Sequence, residues 1–337
     1  MNSKAMLALG TIYFVILLAA SNLAVAQTPS PTLLVVQKDD FQLAIIDPVS
    51  KKILKNIPCG DDPHEVEVST DGKLAFVSNF APFVVDEKPG RTITIIDLVA
   101  QKQLRQLDLG PQSMPHGLWF ADGKLYFTAQ GFKLIGRFDP AIDKVDWMLG
   151  TAQEGTHMIA LTKDLSTIFT ANSSSNSVSV FQHKQKLPSW EETVIPVGSR
   201  PQAMDISPDS KEYWTAQGGD GKVSVINIAS KKVVQTIDVK TKGSNRLKFT
   251  LDGKLVLISD MRGGETVVVD AAQRKEIKRI PTGNFSEGIL MNPDGRHAYV
   301  AVAGENNIAI IDLNTLQISD RIPTGRNPDG LAWAVRR

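Results

Sequence analysis

The stretch EGILMNPDGRHAYVAVAGENNIAIIDLNTLQISDRIPTG, residues 287–325, sets four short apolar-polar runs between turn residues. EGILM runs into the turn NPDGR, AYVAVA follows, NIAIIDL comes third, and QISDRIPTG closes the unit at a proline and a glycine. β-Branched and aromatic residues alternating with polar ones, bounded by Gly, Pro, Asp and Asn, predict strands. Four such strands in a row, joined by tight turns, make one antiparallel sheet.

Outward from this unit the same order recurs. Its first strand has counterparts in HEVEVSTDGK (64–73), HGLWFADGK (116–124), HMIALTKDLS (157–166), QAMDISPDSK (202–211), NRLKFTLDGK (245–254) and DGLAWAVRR (329–337). The spacing runs from 41 residues (116 to 157) to 52 (64 to 116). Second strands follow the DGK-type turn, as in LAFVSN (74–79), LYFTAQ (125–130), TIFTAN (167–172), EYWTAQ (212–217) and LVLISD (255–260). Third strands include TITIIDL (92–98), LIGRFDP (134–140), SVSVFQ (177–182), KVSVINI (222–228) and TVVVDA (266–271). Fourth strands include KQLRQLDLG, ETVIPVG, KVVQTIDV and KEIKRIPTG. A strand-built repeat of this length is the signature of a β-propeller.

The ends complete the count. The N-terminal part supplies a second strand (33–37), a third (42–48) and a fourth (51–60) but no first, whereas GLAWAV (330–335) is a lone first strand. Joined, they form a seventh blade and close the ring, which removes an open sheet edge. The expected fold is therefore all-β, a seven-bladed propeller of four-stranded antiparallel blades.

The segments PDGRHAYVAVAGENNIAIIDLNTLQISDRIPTG and LSTIFTANSSSNSVSVFQ resemble the YVTN-type β-propeller repeat. The resemblance runs from about residue 27 to the end and implies architecture more than activity. Similar repeats occur in surface-layer proteins, periplasmic binding propellers, lactonases, cycloisomerases and propeller domains of redox enzymes. One fold hosts many chemistries, so function must be argued from the site.

Residues 1–26 differ from the rest. Lys4 precedes an apolar run from Ala5 to Ala20, and a small-residue stretch ends at Ala24-Val25-Ala26. That layout predicts a secretory signal peptide cleaved before Gln27, a single domain over 27–337, and a secreted or periplasmic protein with no membrane span in its mature form. The apolar run falls short of the roughly 20 residues a spanning helix needs. Formal charge is +1, or 0 without Lys4, and no basic stripe interleaves with aromatics, so nucleic acid is not an expected partner. Cys59 is the only cysteine, which excludes an intrachain disulfide and suggests a small apolar packing residue. A monomer is the default.

One register position carries the site. Around the ring it reads Glu287, Asp329, His64, His116, His157, Gln202, Asn245, so three of the chain's five histidines share it. The second strand returns to the same face, which places Gln37, Asn79, Gln130, Asn172, Gln217 and Asp260 in a second rank, with Ala303 the exception. Three functions follow. His64, His116, His157, Glu287 and Asp329 suit a divalent transition metal such as Zn, Fe, Cu or Mn. His116, His157 and Glu287 could instead act as acid and base, with Arg246 meeting a small anionic or lactone substrate, as in a lactonase- or cycloisomerase-like hydrolase, lyase or isomerase. Gln202, Asn245, Asn79, Gln130, Asn172 and Gln217 would then be ligand-binding. Alternatively the polar ring only lines a hydrated channel of a protein-interaction scaffold. The favoured expectation is a propeller that binds a metal ion or small ligand at the ring mouth. The insertion FAPFVVDEKPG (80–90) leaves from the ring face, either as a lid or as a loop packed on its own blade.

Overall fold

A computed structural model describes residues 30–80, 90–183 and 189–336. The expected signal peptide, 1–26, and most of the 80–90 insertion lie outside them. The described residues form seven four-stranded antiparallel sheets. Six blades span 63–108, 115–150, 156–196, 201–238, 244–280 and 286–323, here blades 1 to 6. Blade 7 pairs Pro328–Ala334 with Thr32–Gln37, Gln42–Asp47 and Lys52–Pro58. The seam is an antiparallel ladder, with Thr32 opposite Ala334, Leu33 opposite Trp333 and Leu34 opposite Ala332, shifted in register between Val35 and Gln37. In blade 2 the fourth strand is Lys144–Gly150, which the repeat pattern of the sequence does not single out.

Burial explains the strand types. Second and third strands are buried on both faces, as in Leu74–Asn79 and Thr92–Asp97, because each blade is sandwiched between two others. Fourth strands face solvent, alternating in Lys102–Asp108 and exposed along most of their length in Lys52–Pro58. The apolar core is accordingly seven seams, one at each blade-to-blade interface, and not a central mass. Phe76 and Ile93 meet Leu118 and Phe127 between blades 1 and 2, and Trp214 meets Leu247 and Phe249 between blades 4 and 5. Each large side chain so buried contributes roughly 1.5–3 kcal/mol. With the apolar surface spent between blades, the axis is left to the inner strands and their polar residues.

The turns at the far end of the inner strands follow side-chain chemistry. Ser69 Oγ donates to Asp71 Oδ1 at 2.7 Å, and Asp71 Oδ1 accepts the Lys73 N–H at 3.1 Å. The same pattern recurs at Thr162–Asp164, Ser207–Asp209 and Thr250–Asp252. Gly72 and Gly253 take φ of 71° there, while Leu165 and Ser210 occupy the equivalent left-handed position. Cys59 packs beside the seam of blades 7 and 1, and burial pushes its thiol up to about 12, so it is no thiolate.

Candidate functional site

Every inner strand carries a β-bulge at the ring position. In blade 4, Pro201 opposes Gln217 and Ala203 opposes Ala216, so Gln202 is the extra residue. His157 and Asn245 are extra in the same way. In blade 1, His64 and Glu65 together span the step from Pro63 to Val66, opposite one residue of the second strand, Ser78. Blades 2, 6 and 7 show the same shift around His116, Glu287 and Asp329. A bulge bends the strand and re-aims the extra side chain. Here the bulge falls at the same register position in all seven blades.

Buried hydroxyls hold the bulges. Ser259 Oγ accepts the Arg246 N–H at 2.9 Å and donates to the Glu287 carbonyl of the next blade at 2.7 Å. Thr128 likewise accepts from Gly117 N at 2.9 Å and donates to His157 O at 2.7 Å. Ser78 accepts from Glu65 N at 3.2 Å and donates to His116 O at 2.8 Å. Three ring residues are thus fixed by the blade before them.

One side of the ring is an imidazole wall. The ring centroids of His64 and His116 are 5.3 Å apart, and those of His116 and His157 only 3.7 Å. Phe80 sets its edge against all three, at 5.1, 4.8 and 6.4 Å. Phe80 is held by its N–H to Asp62 O and by Gly90 N–H to Phe80 O, each 3.0 Å. A Cβ on Gly90 would lie 2.0 Å from Asn79 O, so this close return needs glycine. The insertion therefore leaves and re-enters beside the imidazoles. His157 Nδ1 donates to Gln130 Oε1 at 3.0 Å, and His64 Nδ1 to Asp62 O at 3.0 Å. Both rings then present Nε2 as a lone pair when neutral. His116 Nδ1 is buried with no hydrogen-bond partner. Burial, together with the other imidazoles and Arg246, lowers His116 well below the usual histidine range. Burial and Arg246 take His157 down to about 3. Both rings are neutral at pH 7.

The other side is an ion-pair network. Lys38 Nζ lies 2.6 Å from Glu287 Oε2 and 3.3 Å from Asp329 Oδ2. Burial alone would lower Lys38, but Asp329 and Glu287 reverse that and raise it. The two carboxyls split. Burial and Asp329 push Glu287 up to about 8, whereas Lys38, His64 and Arg246 overcome burial and hold Asp329 low. Arg246 pairs with Glu65 across the channel and lies 3.8 Å from Asp329 Oδ1. It therefore already has protein carboxylates as partners.

The structure brings together His64, His116, His157, Glu287, Asp329 and Arg246 around one mouth. Gln202 and Asn245 sit half-buried on its remaining side, with Asn245 Oδ1 unpartnered. Most of the second rank is spent elsewhere. Asn79 Nδ2 donates to Thr92 and Thr94, Asn172 Nδ2 to Ser177 and Ser179, and Gln217 Nε2 to Ser224. Asp260 accepts three loop N–H groups. These side chains latch loops within and beside their own blades, so of the expected second-rank ligands only Gln130 reaches a ring residue. Two residues of the network escaped the sequence reading. Lys38 lies in a short 3-10 turn at the seam, and Glu65 is the second residue of a bulge.

Among the described residues no group of three or more His, Cys, Asp or Glu is drawn around a common point. No described helix is long and apolar enough to cross a membrane.

No family model matches the chain. Antigen Lp49 of Leptospira interrogans is 24% identical over 185 residues, which cover 49% of this chain and 40% of that protein. The chain thus matches well under half the length of this relative. A functionally unknown protein from Desulfotomaculum acetoxidans superposes with a TM-score of 0.74 at 13% identity, over 91% of this chain and 100% of the other. A putative 6-phosphogluconolactonase from Bacteroides uniformis gives 0.72 at 14% identity, over 90% and 99%. Likeness at this identity shows the shared seven-bladed propeller fold and nothing finer.

Proposed function

We propose that this chain is a ligand-binding propeller whose ring mouth takes a divalent transition-metal ion or a small ligand on three imidazoles. The observation that carries this reading is the row of adjacent imidazoles, His64, His116 and His157, against Phe80. Their donor type fits zinc, iron, copper or manganese, and a Nδ1 donor held by an oxygen is the usual support of an imidazole ligand. The unpartnered Nδ1 of His116 adds a donor that nothing in the protein satisfies. Because the rings are not gathered around one point, a bound metal requires them to turn. The resemblance to YVTN repeats and the 1–26 leader support an exported, single-domain protein, with monomeric state and any protein partner as further parts of the proposal. The test is transition-metal content and metal uptake of the purified protein. Wild type is expected to retain near-stoichiometric metal that a His64/His116/His157 triple-alanine variant lacks. Neither retention nor uptake by wild type would overturn metal binding.

A second reading is favoured by one observation, the split between Glu287 and Asp329. Two neighbouring carboxyls, one raised and one lowered, can serve as acid and base. Likeness in fold to a putative 6-phosphogluconolactonase supports trying lactone substrates. Turnover lost in both His116→Ala and Glu287→Ala, with the fold retained, would establish it; undiminished turnover would exclude it.

A further inference from the structure

The channel holds a second compartment that the ring mouth does not use. Its cavity of about 360 Å³ reaches Ser69, Thr70 and Val335 at the turn face, opposite the imidazoles. The Arg246–Glu65 pair lines it, and no ring-position residue does. Its volume lies in the range of small-molecule sites.

Its charges do not balance. Glu65 is paired with Arg246, and Asp205 lies 3.5 Å from Lys248 while also accepting the Phe249 N–H at 2.9 Å. Glu67 lines the same cavity and has no ion pair among the described residues; the cation acting on it, Lys248, is shared with Asp205. Three carboxylates thus face two cations. Burial, only partly offset by Lys248, pushes Glu67 up to about 7, the response of a carboxylate short of counter-charge. The rest of the wall is apolar and polarisable, with Trp119, Trp333, Met158 and Met204. Trp333 is fixed by Nε1–H donation to Met291 O at 3.0 Å and by an edge contact to Tyr299 at 5.1 Å. A lone carboxylate between aromatic walls favours a positive charge carried on an apolar body.

We propose that this compartment binds a small organic cation, an amine with an apolar or aromatic body, with Glu67 as counter-ion and Trp119 and Trp333 as walls. The site is independent of any ligand at the ring.

Calorimetric titration at pH 8 with phenethylammonium, phenethyl alcohol and phenylacetate tests it. Wild type is expected to bind the ammonium at least about ten-fold more tightly than the alcohol, as one desolvated charge contact allows, with phenylacetate weakest. Glu67→Gln should bring ammonium and alcohol to the same affinity. The His64/His116/His157 triple-alanine variant should keep the ammonium preference, which separates this site from the ring. The proposal is overturned by equal binding of ammonium and alcohol to wild type, by phenylacetate binding most tightly, by a preference that survives Glu67→Gln, or by no binding up to about 10 mM. Should Glu67→Gln fail to melt cooperatively, the wild-type order of the three compounds decides alone.

Discussion

Replacing Lys38 by methionine keeps its stem and removes its charge. The ammonium sits 2.6 Å from Glu287 and 3.3 Å from Asp329, largely out of water. At an effective dielectric of 20, those distances correspond to roughly 5–6 kcal/mol of attraction each. Desolvation of the ammonium cancels most of that, and losing one partner of such a buried cluster costs about 3–5 kcal/mol. For a chain this long, unfolding entropy makes 1 kcal/mol worth about 1.5 °C, so Tm should fall by about 5–8 °C at pH 8. Lys38 is raised above its ordinary range, so its own contribution is fully present at pH 8 and is lost only in stronger alkali. The carboxyls behave differently. In the variant Glu287, raised to about 8 even beside Lys38, is largely protonated at pH 8, and Asp329 takes up its proton as pH falls, which removes the uncompensated charge. The loss should therefore shrink at pH 5, and Asp329→Asn added to Lys38→Met should recover a large part of it at pH 8. Differential scanning calorimetry reads all three. A Lys38→Met melt within about 1 °C of wild type at pH 8 would refute the reasoning, since no truncated buried ion cluster is that cheap.

Other outcomes follow from the same geometry. Glu67 is raised to about 7, so the folded state binds more protons than the unfolded chain between about pH 4.5 and 7; its stability should fall as pH rises through that window, and Glu67→Gln should reduce the slope in melts from pH 5 to 8. Ser259→Ala strands the Arg246 N–H and the Glu287 carbonyl, which should cost about 1–3 kcal/mol and be read as a fall in denaturant midpoint at unchanged m. Deleting residues from 328 onward removes the inner strand of blade 7 and exposes the edge of Thr32–Gln37; size-exclusion chromatography should show aggregate in place of the species formed by the full chain.

The architecture was legible because each blade repeats its own instructions. The run from Glu287 to Gly325 encodes strand, turn and strand by local chemistry, and the Ser/Thr-x-Asp turns repeat with it. The register of His64, His116 and His157 was legible for the same reason, since equal places in a repeat become equal places in a ring. What the sequence hides is what the ring brings together. Lys38 meets Glu287 across 249 positions of chain, through a seam that exists only once the ends pair. Glu65 needs a bulge to reach Arg246, and a bulge has no letter of its own. Asn79, Asn172 and Gln217 sit on the expected face, yet nearby Thr and Ser hydroxyls claim their amides. The strand Lys144–Gly150 is the fourth strand the repeat pattern does not single out: it lacks the buried aliphatic residue that the others carry near their end, as Leu107 and Ile57 do, Leu149 being only half-buried.

The ring mouth is best examined by elemental mass spectrometry of the purified protein after reconstitution with zinc, iron, copper and manganese in turn. Wild type should hold close to one equivalent of one of them, and the His64/His116/His157 triple-alanine variant, melting cooperatively, should hold none. Equal metal in both proteins, or none in either, would contradict an imidazole metal site at the ring.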